Sequence, residues 1–556
     1  MRIFLKIKKK NYFEERKIKK IKQLIDSEIS IFIFIFLLSL VGIFFYSSYQ
    51  PLDADEGHYL TTLKYIISSQ NLNFYTHASP TFICLLKIIG FITNDLIKIR
   101  FFIALTLPIT LLLLFIYNKS NRKLINLLFF ILIINSFFIS QFTEIKHYAL
   151  TTSLSLVFLF LISEKPKTEK KNNLNLGFLF FISTLLILHR YMLGPSILIL
   201  LILYGIEMIR SPKKTNNVFS LVSASTGAIF ALILIYIITK ISPIKIYNLY
   251  SADRVLISYI PFTIKKLSNF FGILTLQNFF LIITITIGTL FLACKKEFKK
   301  NKSQTNKFII NSGIFCVTFL TFYTLKSPII DSIHLFNLIG PISLLCATII
   351  LYIENFYASL SFLLIYSVLY FTPATILLGK SYVKRNSDEC GYYYLLRAEN
   401  LITQKKYAEN IDCYRKIETI YKTKNFLNKV APYLEEGDEI LSWLTQTVAM
   451  TKIKQAVGFE GGVGTNEIIW SDTINFSSSD AKNLNLLTKE DLILKLKQNY
   501  FKLIIEDPYM EEKFKKIIKE QNYQVIYSVG EIDKQKYIVW ANNNFAEKFK
   551  HLNLKY

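Results

Sequence analysis

Long apolar runs alternate with short polar segments along the chain from Ile29 to Leu378. Most runs are about 15 to 22 residues long, close to the roughly 20 helical residues that cross the hydrocarbon core of a bilayer. The pattern predicts a polytopic α-helical membrane protein with about 11 spans. The predicted spans are Ile29–Tyr46, Ile99–Tyr117, Leu124–Ser140, Ala149–Ile162, Leu174–Leu188, Met192–Ile209, Val218–Thr239, Phe271–Ala293, Phe308–Leu325, Leu335–Ile353 and Phe356–Leu378.

Clusters of Lys and Arg lie between alternate pairs of these spans. By the positive-inside rule such clusters occupy cytoplasmic loops, which assigns the basic N-terminal segment 1–28 to the cytoplasm. With the predicted spans, the basic clusters at 118–123, 164–171, 210–214 and 295–300 also lie inside. The formal net charge of +25 therefore reflects topology and does not indicate nucleic acid binding.

One apolar run, Thr81–Ile92, is too short to cross. Its length of about 12 residues is below the roughly 17 that a span requires, so we expect an interfacial or re-entrant helix within the outer loop 47–97. Counting it as a span would place the basic clusters after Tyr117 and Ile162 outside. A second outer loop is predicted at 240–270.

The tail 380–556 is more polar and is predicted to be a soluble α/β domain outside the membrane. Residues 392–424 resemble one helical hairpin of the tetratricopeptide type, and Cys390 could pair with Cys413 or remain a free thiol. Gly458, Gly461, Gly462 and Gly464 lack a following Lys-Ser/Thr, so they predict a flexible turn rather than a phosphate loop. The predicted strands are Glu439–Leu444, Phe501–Glu506, Gln524–Val529 and Tyr537–Trp540, and the helices are Lys489–Asn499 and Met510–Gln521.

Polar groups gather on the predicted outer side of the spans. Three carboxylates follow the first span within four residues, and cations and His side chains follow later spans. Carboxylates opposed by cations suit transfer from a phosphate-linked donor, because a carboxylate can take the proton of an acceptor hydroxyl while cations stabilise the departing phosphate. The set is Asp53, Asp55, Glu56, His58, His77, Glu144, Lys146, His147, Tyr148, His189, Arg190, Tyr191, Arg254 and His334.

Several short motifs in this region resemble the GT-C glycosyltransferases. The motifs are Asp55-Glu56-Gly57-His58-Tyr59 after the first span, Ser79-Pro80 at the short helix, Arg100 opening the next span, Glu144-Ile145-Lys146-His147-Tyr148 and His189-Arg190-Tyr191. Within GT-C the chain is most similar to the protein O-mannosyltransferase, aminoarabinose transferase and Rgt-like group. The resemblance implies an inverting transferase that takes a sugar from a polyprenyl-phosphate carrier on the outer face of the membrane.

The resemblance also assigns roles to residues. Asp55 resembles the essential first-loop acid and is the expected general base, Glu56 resembles a partner that orients Asp55 or the acceptor, and Asp53 is an extra carboxylate that could replace Asp55 as the base. Substrate contacts are expected from Glu144, Lys146, His147, Tyr148, His189, Tyr191, Arg254 and His334. For His58, His77, Arg190 and Arg254 a plain interfacial role is the alternative.

Other questions stay open at this stage. Asp53, Glu56, His58 and His77 could hold a divalent metal, and loop carboxylates also occur simply as solvated groups.

The expected protein is an inner-membrane glycosyltransferase acting on a cell-envelope glycan such as lipopolysaccharide, a lipid or a protein. Two other classes remain: a transporter or flippase of lipid-linked glycans, which should carry ionisable groups near the midplane, and an envelope scaffold that uses the tail.

Overall fold

The computed structural model describes a helical bundle and a mixed sheet. The described residues are 27–48, 56–57, 59–60, 63, 78–134, 142–164, 169–210, 217–246, 304–326, 336–352, 422–435, 438–442, 451, 457–459, 466–468, 489–506, 510, 512–529 and 537–550. The predicted spans Phe271–Ala293 and Phe356–Leu378 and the pair Cys390 and Cys413 lie outside them, as does the predicted hairpin 392–424 up to residue 421.

Ten helices of the described part build the bundle. They are α1 (Ser27–Ser48), α2 (Pro80–Ile92), α3 (Leu96–Tyr117), α4 (Arg122–Ile134), α5 (Tyr148–Ser163), α6 (Glu169–His189), α7 (Gly194–Arg210), α8 (Asn217–Thr239), α9 (Gln304–Lys326) and α10 (Ile339–Tyr352). In this part of the chain, four helical stretches are long and apolar enough to cross a bilayer: Ser27–Ser48, Leu96–Tyr117, Tyr191–Met208 and Phe219–Thr239. The protein is therefore an integral membrane protein.

The short helix α2 begins and ends as its sequence dictates. Ser79 caps it, since the Ser79 hydroxyl accepts from Phe82 N at 3.3 Å, and Pro80 occupies the first turn, where no N–H is needed. The Thr81 hydroxyl donates to Leu185 O at 2.8 Å and Lys87 Nζ donates to Thr239 O at 3.0 Å. Helix α2 therefore lies across the C-terminal ends of α6 and α8.

The two ends of the bundle are defined by contacts between helices. At one end, Tyr117 Oη donates to Asn175 Oδ1 at 3.3 Å, and Asn311 donates to the Ser163 hydroxyl at 3.0 Å. Lys307 also pairs with Glu207 there, at 2.6 Å. This end holds the C-terminal ends of α3, α5 and α7.

The opposite end of the bundle brings together the starts of α3, α5 and α10 with the ends of α6 and α8. At α10 the approach is close, because a Cβ on Gly340 would lie 3.1 Å from Thr152 O near the N-terminal end of α5. The N-terminal and C-terminal ends of α3 and α5 thus lie at opposite ends of the bundle. Which end faces outward stays a prediction.

Helices α6 and α8 touch backbone to backbone. A Cβ on Gly227 would overlap Gly177 O, and a Cβ on Gly177 would lie 3.1 Å from Ser223 O. Small residues permit such an approach between membrane helices, where packing rather than water exclusion holds the pair together. This contact fixes the two helix ends on which α2 rests.

Six strands of the tail form one mixed sheet. They are β1 (Ile440–Ser442), β2 (Val457–Phe459), β3 (Asn466–Ile468), β4 (Leu503–Glu506), β5 (Gln524–Val529) and β6 (Tyr537–Ala541), in the order β3-β2-β1-β4-β6-β5. Strands β1 to β4 are mutually parallel, while β6 runs antiparallel to both β4 and β5. Ile440, Leu503 and Val539 bury one face against residues 422–430 and α13 (Asn543–Lys550).

The other face of the sheet packs on two further helices, α11 (Lys489–Lys497) and α12 (Glu512–Glu520), through Leu441 and Ile504. All four predicted strands and both predicted helices coincide with elements of this unit. The prediction for Gly458 is wrong, because Gly458 pairs with Ser442 and Glu467 inside β2. The other three glycines lie outside the described residues.

Candidate active site

A buried ion pair joins the first polar loop to α3. Arg100 Nε donates to Glu56 Oε1 at 2.9 Å and Arg100 Nη2 donates to Glu56 Oε2 at 2.5 Å. Arg100 is 1 % exposed and Glu56 is fully buried. The planar guanidinium matches the two carboxylate oxygens, which is the geometry that a lysine cannot provide.

The same carboxylate also holds the second polar loop. Glu56 Oε1 accepts from Ile145 N at 2.7 Å, across 89 positions of sequence. Both oxygens of Glu56 therefore accept hydrogen bonds within the protein. The loops that carry Glu56 and Glu144 meet at one end of the bundle.

The second loop presents an acid and a cation together. Lys146 Nζ lies 3.0 Å from Glu144 Oε2, and both side chains are more than nine-tenths buried. The backbone turns sharply here, since Lys146 N donates to Glu144 O at 2.6 Å. His147 then stands at the N-cap of α5 without a side-chain capping bond, and the aromatic ring of the buried Tyr148 lies beside its imidazole.

His189 is buried completely, and its ring nitrogens bridge three elements. Nδ1 lies 2.9 Å from the Ser79 hydroxyl, and Nε2 lies 3.0 Å from the Thr151 hydroxyl and 3.2 Å from His147 O. The Thr151 hydroxyl already donates to His147 O, so Nε2 must carry the proton and Nδ1 must accept from Ser79.

The neutral imidazole of His189 therefore ties α2, α5 and α6 together through both ring nitrogens. The predicted substrate contact at His189 stays a prediction. Its neighbours differ: Arg190 is buried, while Tyr191 is half-buried at the start of a short 3-10 turn.

Lys87 is a further cation at this end of the bundle, and it was not among the site residues predicted from the sequence. It is 3 % exposed, on α2, and among the described residues its ammonium donates to Thr239 O. The available signal was a lysine inside an otherwise apolar helix, since such charges are costly and usually have a function. Ser79 and Lys87 are eight residues apart, roughly 12 Å along α2 at 1.5 Å per residue.

Several predicted site residues lie outside the described part of the chain. They are Asp53, Asp55, His58, His77, Arg254 and His334. Of the four residues considered as metal ligands only Glu56 is described. Within the described ranges, no group of three or more His, Cys, Asp or Glu side chains could hold a metal ion.

The fold is that of the GT-C membrane glycosyltransferases, as the sequence motifs predicted. Two crystal structures of the aminoarabinose transferase ArnT from Cupriavidus metallidurans share it. The one bound to undecaprenyl phosphate has a TM-score of 0.60 at 9 % identity, covering 91 % of this chain and 97 % of ArnT. The apo structure has a TM-score of 0.55 at 11 % identity, covering 92 % and 97 %. No protein-family profile and no curated protein matches the sequence.

Proposed function

We propose that the protein is a membrane glycosyltransferase that moves a sugar from a polyprenyl-phosphate carrier to a cell-envelope acceptor on the outer face of the inner membrane. The observation that carries this proposal is the 2.7 Å contact between Glu56 and Ile145, which brings two acidic loops to one end of a GT-C fold. The ArnT structure with undecaprenyl phosphate supports a lipid-phosphate donor.

The proposed reaction is an inverting displacement at the anomeric carbon of the donor sugar. A carboxylate removes the proton of the acceptor hydroxyl, whose oxygen forms the new bond to the anomeric carbon. The bond from that carbon to the phosphate oxygen breaks, and the polyprenyl phosphate leaves with the electron pair. Nearby cations stabilise the charge that develops on the phosphate.

Asp55 is the proposed base, with Asp53 as the alternative. Asp55 precedes Glu56 in the chain, and consecutive Cα atoms are about 3.8 Å apart, so the base is one residue from the Glu56–Arg100 pair. Since both oxygens of Glu56 are bound within the protein, the neighbouring acid is the better candidate for the reacting group.

Lys146 and Lys87 are the proposed contacts of the donor phosphate. Lys146 Nζ lies 3.0 Å from Glu144 Oε2, which holds its ammonium group in place at the second loop. Lys87 has three N–H donors, of which Thr239 O takes one. Two compact ammonium groups suit a phosphate as point charges.

The tail 380–556 is proposed to lie outside the membrane and to shape the acceptor site. A sheet buried on both faces, with helices on each side, is a rigid unit on which such a surface can be built. The acceptor is proposed to be a glycan, a lipid or a protein of the cell envelope.

Gene deletion and complementation test the proposal. We expect mass spectrometry of the envelope glycans and lipids to show one sugar missing in the deletion strain, and the wild-type gene to restore it. Asp55→Asn should lower the restored amount at least a hundredfold at equal expression, because general-base catalysis contributes about 10² to 10⁴ in rate. Asp53→Asn is the matched comparison, because it removes the carboxylate of the alternative base, and it should restore the sugar close to the wild-type level.

The outcomes separate the candidate functions. Full restoration by Asp55→Asn together with loss in Asp53→Asn moves the base to Asp53. Full restoration by both variants contradicts the enzyme proposal and favours a scaffold. A deletion that removes no sugar but accumulates a lipid-linked glycan favours a flippase.

A further inference from the structure

The Glu56–Arg100 pair is poorly explained as a source of stability. Both groups are 1 % exposed or less, so each has lost its water shell. Removing two charges from water costs about as much as the pair returns, and apolar replacements of similar volume are often neutral or stabilising. The pair therefore calls for a role beyond holding the bundle together.

The position of the carboxylate suggests that role. Glu56 Oε1 receives two donors, Arg100 Nε at 2.9 Å and Ile145 N at 2.7 Å. Ile145 stands between Glu144 and Lys146, the paired acid and cation of the second loop. The N–H of Ile145 is thus bound to the Glu56 side chain of the first loop. The two N–H groups of Arg100 on α3 fix the orientation of that side chain.

The second loop is also fixed at its other flank. His147 O accepts from Thr151 N at 2.8 Å, from the Thr151 hydroxyl at 2.8 Å and from His189 Nε2 at 3.2 Å. Those bonds hold the end of the loop against α5 and α6. The Glu56 contact joins its beginning directly to the first acidic loop, so the orientation of this carboxylate affects the distance between the two loops.

We propose that Arg100 is a positioning residue, which orients Glu56 so that the two acidic loops keep a fixed separation at the reacting centre. The inference rests on the proposed function for its consequence, the rate of sugar transfer. Arg100 sets the orientation through two parallel bonds, which prevent rotation of the carboxylate. A single ammonium at this position neutralises the charge but leaves the carboxylate free to turn.

Two double variants separate positioning from stability. In the apolar variant, Glu56→Leu with Arg100→Met, the buried charges and the acceptor for Ile145 N are both removed. In the swap, Glu56→Arg with Arg100→Glu, an ion pair is kept but position 56 offers donors only, so the Ile145 acceptor is lost. Arg100→Lys keeps the positive charge and removes the guanidinium that donates two parallel bonds to Glu56. Glu207→Leu with Lys307→Met removes the ion pair at the opposite end as a matched control.

The direct readout is hydrogen exchange of the peptide 142–148 in the purified full-length protein in lipid nanodiscs. We expect at least tenfold faster exchange there in the apolar variant and in the swap, with thermal unfolding midpoints close to that of the wild type. Arg100→Lys should give an intermediate increase. The control pair should leave this peptide unchanged. Restoration of the missing sugar in the deletion strain should fall at least tenfold in both double variants and not in the control.

The results can overturn the inference in two ways. Wild-type exchange in both double variants means that Glu56 does not hold the second loop. Faster exchange with undiminished sugar transfer means that the separation of the loops is immaterial to the reaction. A wild-type gene that restores no sugar contradicts the proposed function alone, because the exchange experiment measures the coupling of the loops without a substrate.

Discussion

At the scale of single residues, hydrogen bonds at the buried end of the bundle join donors and acceptors that lie far apart in the sequence. The neutral tautomer of His189 satisfies a serine, a threonine and a carbonyl at once. Glu56 similarly satisfies a guanidinium and a backbone N–H. Because an unpaired buried polar group costs about 1 to 3 kcal/mol, each of these side chains fixes the elements it joins.

Lys87 offers a residue-scale test of the donor proposal. A charge-assisted hydrogen bond contributes about 1.5 to 3 kcal/mol, so Lys87→Gln should weaken binding of undecaprenyl phosphate roughly ten- to a hundredfold. The measurement is the ligand-induced shift in the unfolding midpoint of the purified protein. Lys98→Gln, which removes an exposed cation near the start of α3, should change the affinity less than twofold. Equal affinities in the wild type and Lys87→Gln would remove Lys87 from the donor site.

The residue types of this site were predictable, but most of their pairings were not. Acids, cations and histidines at span ends follow from topology, which gathered Glu56, Glu144 and Lys146. The ion pair between Glu56 and Arg100 joins residues 44 positions apart. It depends on the tilt and rotation of α3, which hydropathy does not specify. For His189 the sequence indicated its place at a span end but not its contacts with Ser79 and Thr151, which lie 110 and 38 positions away.

At the scale of elements, α5 is the helix on which the site is built. Its residues are buried almost throughout, and its first turns carry hydroxyls rather than charges. The Thr151 hydroxyl donates to His147 O and the Ser153 hydroxyl donates to Ala149 O, so these polar groups are satisfied within the helix. A central helix of this kind can start in the polar loop at Glu144 and continue through the bundle.

The contact between α6 and α8 gives an element-scale prediction. Gly227→Ala would place a methyl group on the backbone of Gly177, which cannot rotate away, so the two helices must separate. We expect a destabilisation of about 1 to 3 kcal/mol or more, the usual range for overpacking. Since α2 rests on both helix ends, undecaprenyl phosphate binding should weaken as well.

Gly205→Ala is the matched control for this prediction. Gly205 lies inside α7, and no described atom lies within 4 Å of the position a Cβ would take. Replacing a helical glycine by alanine there should stabilise the protein by about 0.5 to 1 kcal/mol. Unfolding midpoints of the two purified variants check both values. Equal midpoints would contradict the backbone contact between α6 and α8.

The elements were predicted unequally well from the sequence. The apolar runs are long and continuous, so the bounds of the described bundle helices were predicted within a few residues, and the short run Thr81–Ile92 forms the short helix α2. Strands β2 and β3 were missed, because each has three residues and Gly458 in β2 suggested a turn. Helix α13 was missed too, since the polar Asn543 and Asn544 at its start suggest a loop.

At the scale of the whole molecule, the described residues form two groups of polar and charged contacts at opposite ends of the bundle. The Glu56–Arg100 pair, the Glu144–Lys146 pair and Lys87 lie at one end. The contacts of Ser163, Glu207 and Lys307 lie at the other. A transferase of the proposed kind needs this separation, because the carrier phosphate and the acceptor must meet on one side of the bilayer. An internal site near the midplane is what a transporter needs instead.

The sidedness itself is testable with two introduced cysteines. Lys516→Cys replaces an exposed lysine of α12, 78 % exposed, and Lys119→Cys replaces an exposed residue of the basic loop after α3. In intact spheroplasts, a membrane-impermeant maleimide should label Lys516→Cys, while Lys119→Cys should be labelled only after permeabilisation. The six native cysteines, Cys84, Cys294, Cys316, Cys346, Cys390 and Cys413, are first replaced by alanine, so that only the introduced thiol can be labelled. The reverse labelling pattern would put the Glu56–Arg100 pair and the acidic loops on the cytoplasmic side, where the proposed envelope acceptor is absent.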